Sequence, residues 1–189
     1  MTFKYDIEFH PKAFKEWKKL AQASENIKLT LVQPSFAKFI QKFSELSNQE
    51  LHTLLKARSQ VFVVEQDCVY LDIDGLDEYC WHVRLTNVDN DLMAYCRIIP
   101  PTHHPLKLPA IGRVLVLPSH RGQGLARELM QTAIHHCHTH FSSSHNHNRQ
   151  AIFISAQTYL QNFYQSLGFE AVSDAYNEDG IEHQDMILK

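Results

Sequence analysis

Hydrophobic and polar residues alternate along the chain with two different periods, which together predict an α+β fold. Apolar residues at every second position, or in short runs, predict strands, and intervals of three and four predict helices. The predicted strands are 3–9, 36–43, 61–66, 80–87, 92–100, 110–118 and 151–157, with two more around a turn at 178–180. The predicted helices are 11–22, 48–59, one that ends near residue 140, and 159–168. This order predicts a central mixed sheet flanked by helices.

Two patterns of polar residues add local detail to these elements. Ser47 and Glu50 have the spacing of a capping box, so we expect a helix to begin just after Ser47. The acidic segment 70–79 carries four carboxylates, Asp72, Asp74, Asp77 and Glu78. We expect it to be a solvated turn, with attraction of a cationic amine as the alternative.

Composition and charge narrow the class of protein. The chain has 189 residues, of which 44% are hydrophobic and 21% charged, as expected of a globular domain. A formal net charge of −3 gives no basic field for nucleic acid. No apolar run approaches the ~20 residues that span a bilayer, so no membrane association is expected. The four cysteines lack metal-binding spacing, which favours reduced thiols in a cytoplasmic protein.

The sequence RGQGLA, 121–126, lies where a predicted strand turns into a predicted helix. The first turn of a helix presents backbone N–H groups without intrahelical partners, and these bind anions. Gly122 and Gly124 have no β-carbon, so a phosphate can lie against the main chain, and Arg121 can add a charge-assisted contact. The alternative is that the two glycines only shape a tight turn.

These residues carry a resemblance to a known family. RGQGLA resembles the Gln/Arg-x-x-Gly-x-Gly/Ala signature of the GNAT family of N-acetyltransferases, and LQNFYQSLGFEAV, 160–172, resembles a later helix and strand of that family. The segments LLKARSQVFVVEQDCVYLDIDGLDEYCWHV and YNEDGIEH resemble the ElaA-like subgroup. The resemblance runs from about Phe39 to Lys189. It implies a GNAT domain at 36–189 with a mostly antiparallel sheet, preceded by an extension at 1–35.

The resemblance also implies a function. It implies an acetyl-CoA-dependent N-acetyltransferase in which a small amine attacks the thioester directly, without a metal. A catalytically silent module that binds CoA or acyl-CoA is the alternative. The implied cofactor-binding residues are Val114, Leu115, Val116, Arg121, Gly122, Gln123, Gly124, Leu125, Ala126, Asn162 and Tyr164.

The resemblance implies a general acid, but it does not identify a general base. Tyr164 stands where family members often place the general acid, because a phenol is protonated at neutral pH; its alternative role is that of a core aromatic. The strand before the phosphate loop carries Arg113 and no acid, which departs from the family's usual base. Glu65 and His82 are the candidate bases.

Each candidate base has a structural alternative. Glu65 is alternatively part of an ion pair with Arg113 or Arg97. His82 is alternatively a hydrogen-bonded structural imidazole. Asp179 and His183 are weaker candidates for closing the acceptor pocket.

Two further segments fall outside the family pattern. Residues 135–147 include six histidines, and the spacing of His136 and His140 suits a divalent metal, but we expect a solvated helix end. Residues 2–21 resemble the first strand and helix of RelE-type toxins, without the remaining catalytic part. The apolar face of this helix (Phe14, Trp17 and Leu20) is expected to dock on the domain or on a second copy, which would give a homodimer.

Overall fold

A single mixed sheet organises the part of the chain that the computed structural model describes, residues 36–141 and 150–189. Eight strands lie in the order β1-β2-β3-β4-β5-β8-β6, and β7 pairs with β8. Their bounds are β1 Ala37–Lys42, β2 Trp81–Thr86, β3 Leu92–Ile99, β4 Ala110–Val116, β5 Ile152–Gln157, β6 Glu170–Ala171, β7 Tyr176–Glu178 and β8 Ile181–Leu188. Among these eight described strands, only β4 and β5 pair in parallel. The predicted α+β fold with a mostly antiparallel sheet is therefore confirmed.

Three α-helices accompany the sheet in the described residues: α1 is Asn48–Arg58, α2 is Leu125–His140 and α3 is Gln161–Gln165. The capping box predicted for α1 is present. The Ser47 hydroxyl accepts a hydrogen bond from the Glu50 N–H, and the Glu50 carboxylate accepts one from the Ser47 N–H at 2.9 Å. These contacts satisfy N–H groups that the first helical turn leaves without partners.

The strand predicted at 61–66 is wrong, because the chain continues from α1 as a π-helix over Ser59–Glu65. The N–H of Gln66 bonds to the Val61 carbonyl, with the five-residue step of a π-helix. Burial explains why a run rich in β-branched residues becomes helical: Val61 packs with Leu54 and Leu115 in one apolar cluster. Tertiary packing here outweighs the local preference for a strand.

The two longer helices lie on opposite faces of the sheet. Successive side chains of a strand point to opposite faces. In β3, Ala94 belongs to the main core, which includes Leu129 and Met130 of α2. The next residue, Tyr95, belongs to the cluster that contains Leu54 of α1. We therefore distinguish an α2 face and an α1 face of the sheet.

The acidic segment 70–79 is more than a solvated turn, because three of its four carboxylates, Asp72, Asp74 and Asp77, bind arginines. Asp72 accepts hydrogen bonds from Arg58 at 2.9 Å and from Arg113 at 2.7 Å. Asp77 accepts them from Arg58 at 2.6 Å and from Arg97 at 3.0 Å. Arg58 is fully buried. The sequence offers no local signal for this network, because its arginines are distant in the chain.

Some predictions fall on residues outside the described ranges. These are the strand at 3–9, the helix at 11–22 with its apolar face, and the RelE-like resemblance of 2–21, all of which stay predictions. The boundary between an extension at 1–35 and a domain at 36–189 stays a prediction as well. Among the described residues, no helix is both long and apolar enough to cross a membrane.

Arg58→Met tests the buried network. Removing Arg58 takes one of two arginine partners from each of the buried carboxylates of Asp72 and Asp77. We therefore expect the free energy of unfolding to fall by about 3–5 kcal/mol in urea denaturation. Lys189→Met, which breaks the exposed pair between Lys189 and Glu170, is the control and should change little. Equal effects of the two substitutions would contradict a structural role for the network.

Candidate active site

A cleft opens where the parallel strands β4 and β5 separate. Their register contains one residue pair, Ala110 with Phe153, and the strands diverge beyond it. A bulge in β4 accompanies the divergence: the β3–β4 register shifts between Tyr95 and Arg97, and Arg113 has a φ of 53°. The resulting cleft has a volume of about 690 Å³. The edge of β4 that would face a neighbouring strand therefore faces the cleft.

The cleft reaches both faces of the sheet. Ile152, Ile154 and Ala156 of β5 lie in the main core on the α2 face. Phe153, Ser155 and Gln157, which alternate with them, therefore point to the α1 face. Residues on both faces of the sheet line the cleft. Leu125 and Tyr164 lie on the α2 face, and Ser155 and Gln157 lie on the α1 face.

The glycine loop borders the cleft at the beginning of α2. Gly122 and Gly124 have φ values of 75° and 77°, a conformation that side chains other than glycine rarely adopt. A β-carbon on either glycine would meet no protein atom within 4 Å, so the space above this backbone is open. The 16-residue helix α2 begins at Leu125, where free N–H groups and the helix dipole favour an anion. Both explanations of the glycines are thus compatible: they shape the turn and leave room above it.

Most of the predicted cofactor residues line the cleft. The lining includes Val114, Leu115, Val116, Arg121, Gly122, Gly124, Leu125, Ala126 and Tyr164. Gln123 and Asn162 are exposed and are not part of the lining. The fold therefore brings the strand segment 114–116 and the start of α2 to the same cleft, as the sequence predicts. Gln123 and Asn162 lie outside the cleft lining.

Arg121 does not extend freely toward the open space. Its guanidinium forms two parallel hydrogen bonds to the Glu65 carboxylate, at 2.7 and 2.9 Å, and a third to the Val116 carbonyl at 3.0 Å. The hydrogen bonds from Arg121 lower the pKa of Glu65. The predicted ion pair of Glu65 therefore exists, but with Arg121 instead of Arg113 or Arg97. A carboxylate held in this way is a weak base.

His82 is fully buried and does not line the cleft. Its Nδ1 lies 2.9 Å from the Tyr95 hydroxyl, and its Nε2 lies 3.0 Å from the Asp77 carbonyl oxygen. Burial lowers its pKa, which keeps the ring neutral. This placement favours the structural alternative for His82, because both ring nitrogens are occupied inside the protein.

Tyr164 is buried at the edge of the main core and also lines the cleft. Its ring packs edge-on against Phe163 and Phe169. Burial raises the pKa of its hydroxyl, so the phenol carries its proton at neutral pH. Tyr164 is therefore a core aromatic that also contributes a protonated phenol to the residues lining the cleft.

The α1 side of the cleft contains residues that sequence reasoning passed over. Gln66 and Gln157 exchange hydrogen bonds between their amides, at 3.3 and 3.4 Å. Cys68 donates from its thiol to the Asp179 carbonyl at 3.1 Å. These contacts connect the segment after the π-helix to β5 and to the β7–β8 turn. The family-like segment YNEDGIEH indicated that the β7–β8 turn belongs to the site. No local pattern indicated that Cys68 contacts this turn or that Gln66 contacts Gln157.

The histidine-rich end of α2 lies apart from the cleft. The rings of His136 and His140 stack with centroids 5.0 Å apart, and both lie edge-on against Trp81. Burial lowers the pKa of His136 to about 4, so His136 differs from the expected solvated helix end, whereas His135 and His140 are exposed as expected. The remainder of the predicted segment, residues 142–149, lies outside the described ranges. Within 36–141 and 150–189, no three or more His, Cys, Asp or Glu residues are grouped to hold a metal.

A mostly antiparallel sheet, a parallel pair that splays open and a glycine loop at a helix N-terminus define an acyl-CoA-dependent transferase fold. The chain belongs to the GNAT acetyltransferase family, because the sequence profile of the acetyltransferase (GNAT) domain matches residues 21–189. The resemblance seen in the glycine loop is therefore confirmed at the level of the family.

Relatives place the chain near ElaA. Protein ElaA of Escherichia coli is 41% identical over 141 residues, which cover 74% of this chain and 88% of ElaA. A UPF0039 protein of Synechocystis is 39% identical over 150 residues, covering 79% and 92% of the two chains. The crystal structure of E. coli ElaA matches with a TM-score of 0.74 at 37% identity, covering 82% of this chain and all of that one. An acyl-CoA N-acyltransferase from Pseudomonas aeruginosa matches at 0.75 and 35% identity, with the same coverage.

Proposed function

We propose that the protein is an acetyl-CoA-dependent N-acetyltransferase that transfers an acetyl group directly to a small amine. The observation that carries this proposal is the cleft between β4 and β5, which reaches from the glycine loop on one side to a polar wall on the other. The P. aeruginosa relative, which is described as an acyl-CoA N-acyltransferase, supports the same chemistry.

The cofactor would be held mainly by backbone groups. The diphosphate of acetyl-CoA would bind the N–H groups around Gly122, Gly124 and the first residues of α2, because Arg121 is already engaged by Glu65. The pantetheine arm would lie along the free edge of β4 at 114–116, where it can form hydrogen bonds as a neighbouring strand would. Acetyl-CoA would thus complete the sheet where β5 has diverged.

The direction of the β4 N–H groups supports a site for the thioester. Leu117 donates its N–H to the Met93 carbonyl in β3 at 3.0 Å. Because N–H groups alternate sides along a strand, the N–H of Val116 points away from β3 and into the cleft. The Val116 N–H would stabilise the negative oxygen that develops when the amine attacks the carbonyl carbon.

Tyr164 would complete the reaction on the α2 side. The thiolate of CoA needs a proton as it leaves, and the buried phenol of Tyr164 retains one at neutral pH. We assign the base to neither Glu65 nor His82. The first is paired with Arg121, and the second lies outside the cleft wall.

Calorimetric titration with acetyl-CoA and with CoA, followed by a screen of amines for thiol release, tests the proposal. Binding of acetyl-CoA followed by turnover of an amine is the expected result. Binding without turnover of any amine would instead support the module that only binds CoA. An absence of binding would contradict both.

Gly124→Asp tests the phosphate site. The substitution places a carboxylate where the diphosphate would lie, so we expect the affinity for CoA to fall at least about 100-fold, which is about 2.8 kcal/mol. Gly180→Asp is the matched control. Its φ of 87° gives similar backbone strain, its surroundings are equally open, and it lies outside the cleft lining. Unchanged affinity in Gly124→Asp would remove the glycine loop from the cofactor site.

Tyr164→Phe tests the proton donor. We expect kcat to fall roughly 100-fold, within the range for loss of general acid–base catalysis, while the affinity for CoA measured by calorimetry stays the same. Tyr79→Phe is the control, because Tyr79 is half-exposed and lies outside the cleft lining. A kcat that equals the wild-type value at every pH would show that Tyr164 is not the acid.

A further inference from the structure

We propose that His183 is the general base that deprotonates the acceptor amine, an inference that rests on the proposed acetyltransferase function. His183 lies in β8 and lines the same cleft as Tyr164. The β8 strand is the last one along the sequence. It lies far in sequence from the β4 strand, on which GNAT relatives often carry the base. The assignment of His183 therefore rests on position, tautomer and surroundings.

The sheet register gives the position of His183. In the β5–β8 pair, His183 lies opposite Gln157, and paired residues point to the same face of a sheet. Gln157 points to the α1 face, since Ala156 beside it belongs to the main core on the α2 face. Tyr164 also belongs to that main core. His183 and Tyr164 therefore approach the cleft from opposite faces.

This placement matches the requirements of acetyl transfer. The proton donor must act on the sulfur, which arrives with the cofactor along β4, next to α2. The base must act on the nitrogen of the acceptor, which has to approach the carbonyl carbon from the other side. A base on the α1 face and an acid on the α2 face satisfy both requirements at once.

The tautomer of His183 leaves the correct nitrogen free. Its Nδ1 lies 2.9 Å from the Ile181 carbonyl oxygen, and a carbonyl can only accept a hydrogen bond. Nδ1 therefore carries the hydrogen, so in the neutral ring the lone pair lies on Nε2. Among the described residues no hydrogen bond uses Nε2, and this atom is not sealed from solvent. His82, in contrast, has both nitrogens occupied.

A carboxylate and an aromatic ring lie beside the imidazole of His183. A carboxylate oxygen of Glu178 in β7 lies 3.9 Å from Nδ1. The ring of Tyr176 stacks on the imidazole with centroids 6.3 Å apart. Further titratable groups in the cleft lining include Asp179 in the β7–β8 turn, Cys68, Tyr70, His104, Arg113 and Tyr159. Asp185 of β8 accepts a hydrogen bond from Tyr176. The carboxylates of β7, of its turn and of β8 would attract a cationic amine to this side of the cleft.

The proposed step balances as follows. Nε2 of His183 takes one proton from the alkylammonium, which leaves a neutral amine with a lone pair on nitrogen. The nitrogen forms a bond to the carbonyl carbon, and the carbon–sulfur bond breaks with its electron pair on sulfur. Tyr164 gives its proton to the thiolate and recovers one from the second proton that the nitrogen loses. His183 releases its proton to water, so an ammonium and acetyl-CoA yield an amide, CoA and one proton.

The test compares wild type with His183→Gln and His183→Ala, with acetyl-CoA as donor. Benzylamine and spermidine serve as protonated acceptors, and aniline serves as an acceptor that is already neutral at pH 7. We expect both variants to bind acetyl-CoA with wild-type affinity and to lose about 100-fold or more in kcat with the alkylamine that wild type uses. The loss should shrink as the pH rises, because a rising fraction of the amine is then deprotonated by the solvent. With aniline the loss should be smaller.

His52→Ala is the control, because His52 is exposed on α1 and lies outside the cleft lining. Its rates and its pH profile should equal those of wild type. Turnover by wild type together with an unchanged rate and pH profile in both His183 variants would overturn the role of His183 alone. A uniform loss at every pH and with every acceptor would also overturn it, because that pattern indicates a structural effect. No turnover of any amine by wild type would overturn the proposed function together with this inference.

Discussion

Asp72 connects three parts of the molecule through one carboxylate. It accepts hydrogen bonds from Arg58 at the end of α1 and from Arg113 in the bulge of β4, and Tyr70, two residues before it, lines the cleft. Burying such charges is costly unless every group finds a partner. The positive φ of Arg113 and the divergence of β4 from β5 occur at the same bulge. The shape of the cleft is therefore coupled to an ion network whose carboxylates lie outside the sheet.

The groups proposed for catalysis come from separate elements that meet only in the folded protein. The N–H of Val116 belongs to the free edge of β4, Tyr164 to the short helix after β5, and His183 to β8. Each is oriented by an interaction of its own: Val116 by the pairing of Leu117 with β3, Tyr164 by aromatic packing, and His183 by the Ile181 carbonyl. A substitution at one of these residues therefore does not remove the contact that orients either of the other two.

Features that depend on neighbours in sequence could be predicted from the sequence. The capping box of Ser47 and Glu50, the glycine loop and the strands of the sheet all follow from local spacing or periodicity. The run at 61–66 shows where this reasoning ends, because burial of Val61 against Leu115 turns a strand-like sequence into a π-helix.

The partners of charged and titratable side chains could not be predicted either, because they depend on contacts between residues that are distant in the sequence. Glu65 was expected to pair with an arginine, but which arginine depends on how the loop at 121 returns to the π-helix. The burial of His82 and the exposure of Nε2 in His183 likewise depend on strand register and on the identity of each facing group. Residue type cannot rank one histidine above another, and the sequence made His82 the candidate base. The burial of His82 and the register of β8 with β5 are what distinguish the two histidines.

A cleft that reaches both faces of the sheet gives the two reactants separate entrances. The thioester would arrive from the side of α2, and the amine from the side of α1, so neither has to leave before the other can bind. In the proposed mechanism both would be present together, and the acetyl group would pass between them in a ternary complex without a covalent acyl-enzyme. Separate entrances would leave the order of binding to the relative concentrations and affinities of the two reactants. CoA would then be able to depart while the next amine is already in place.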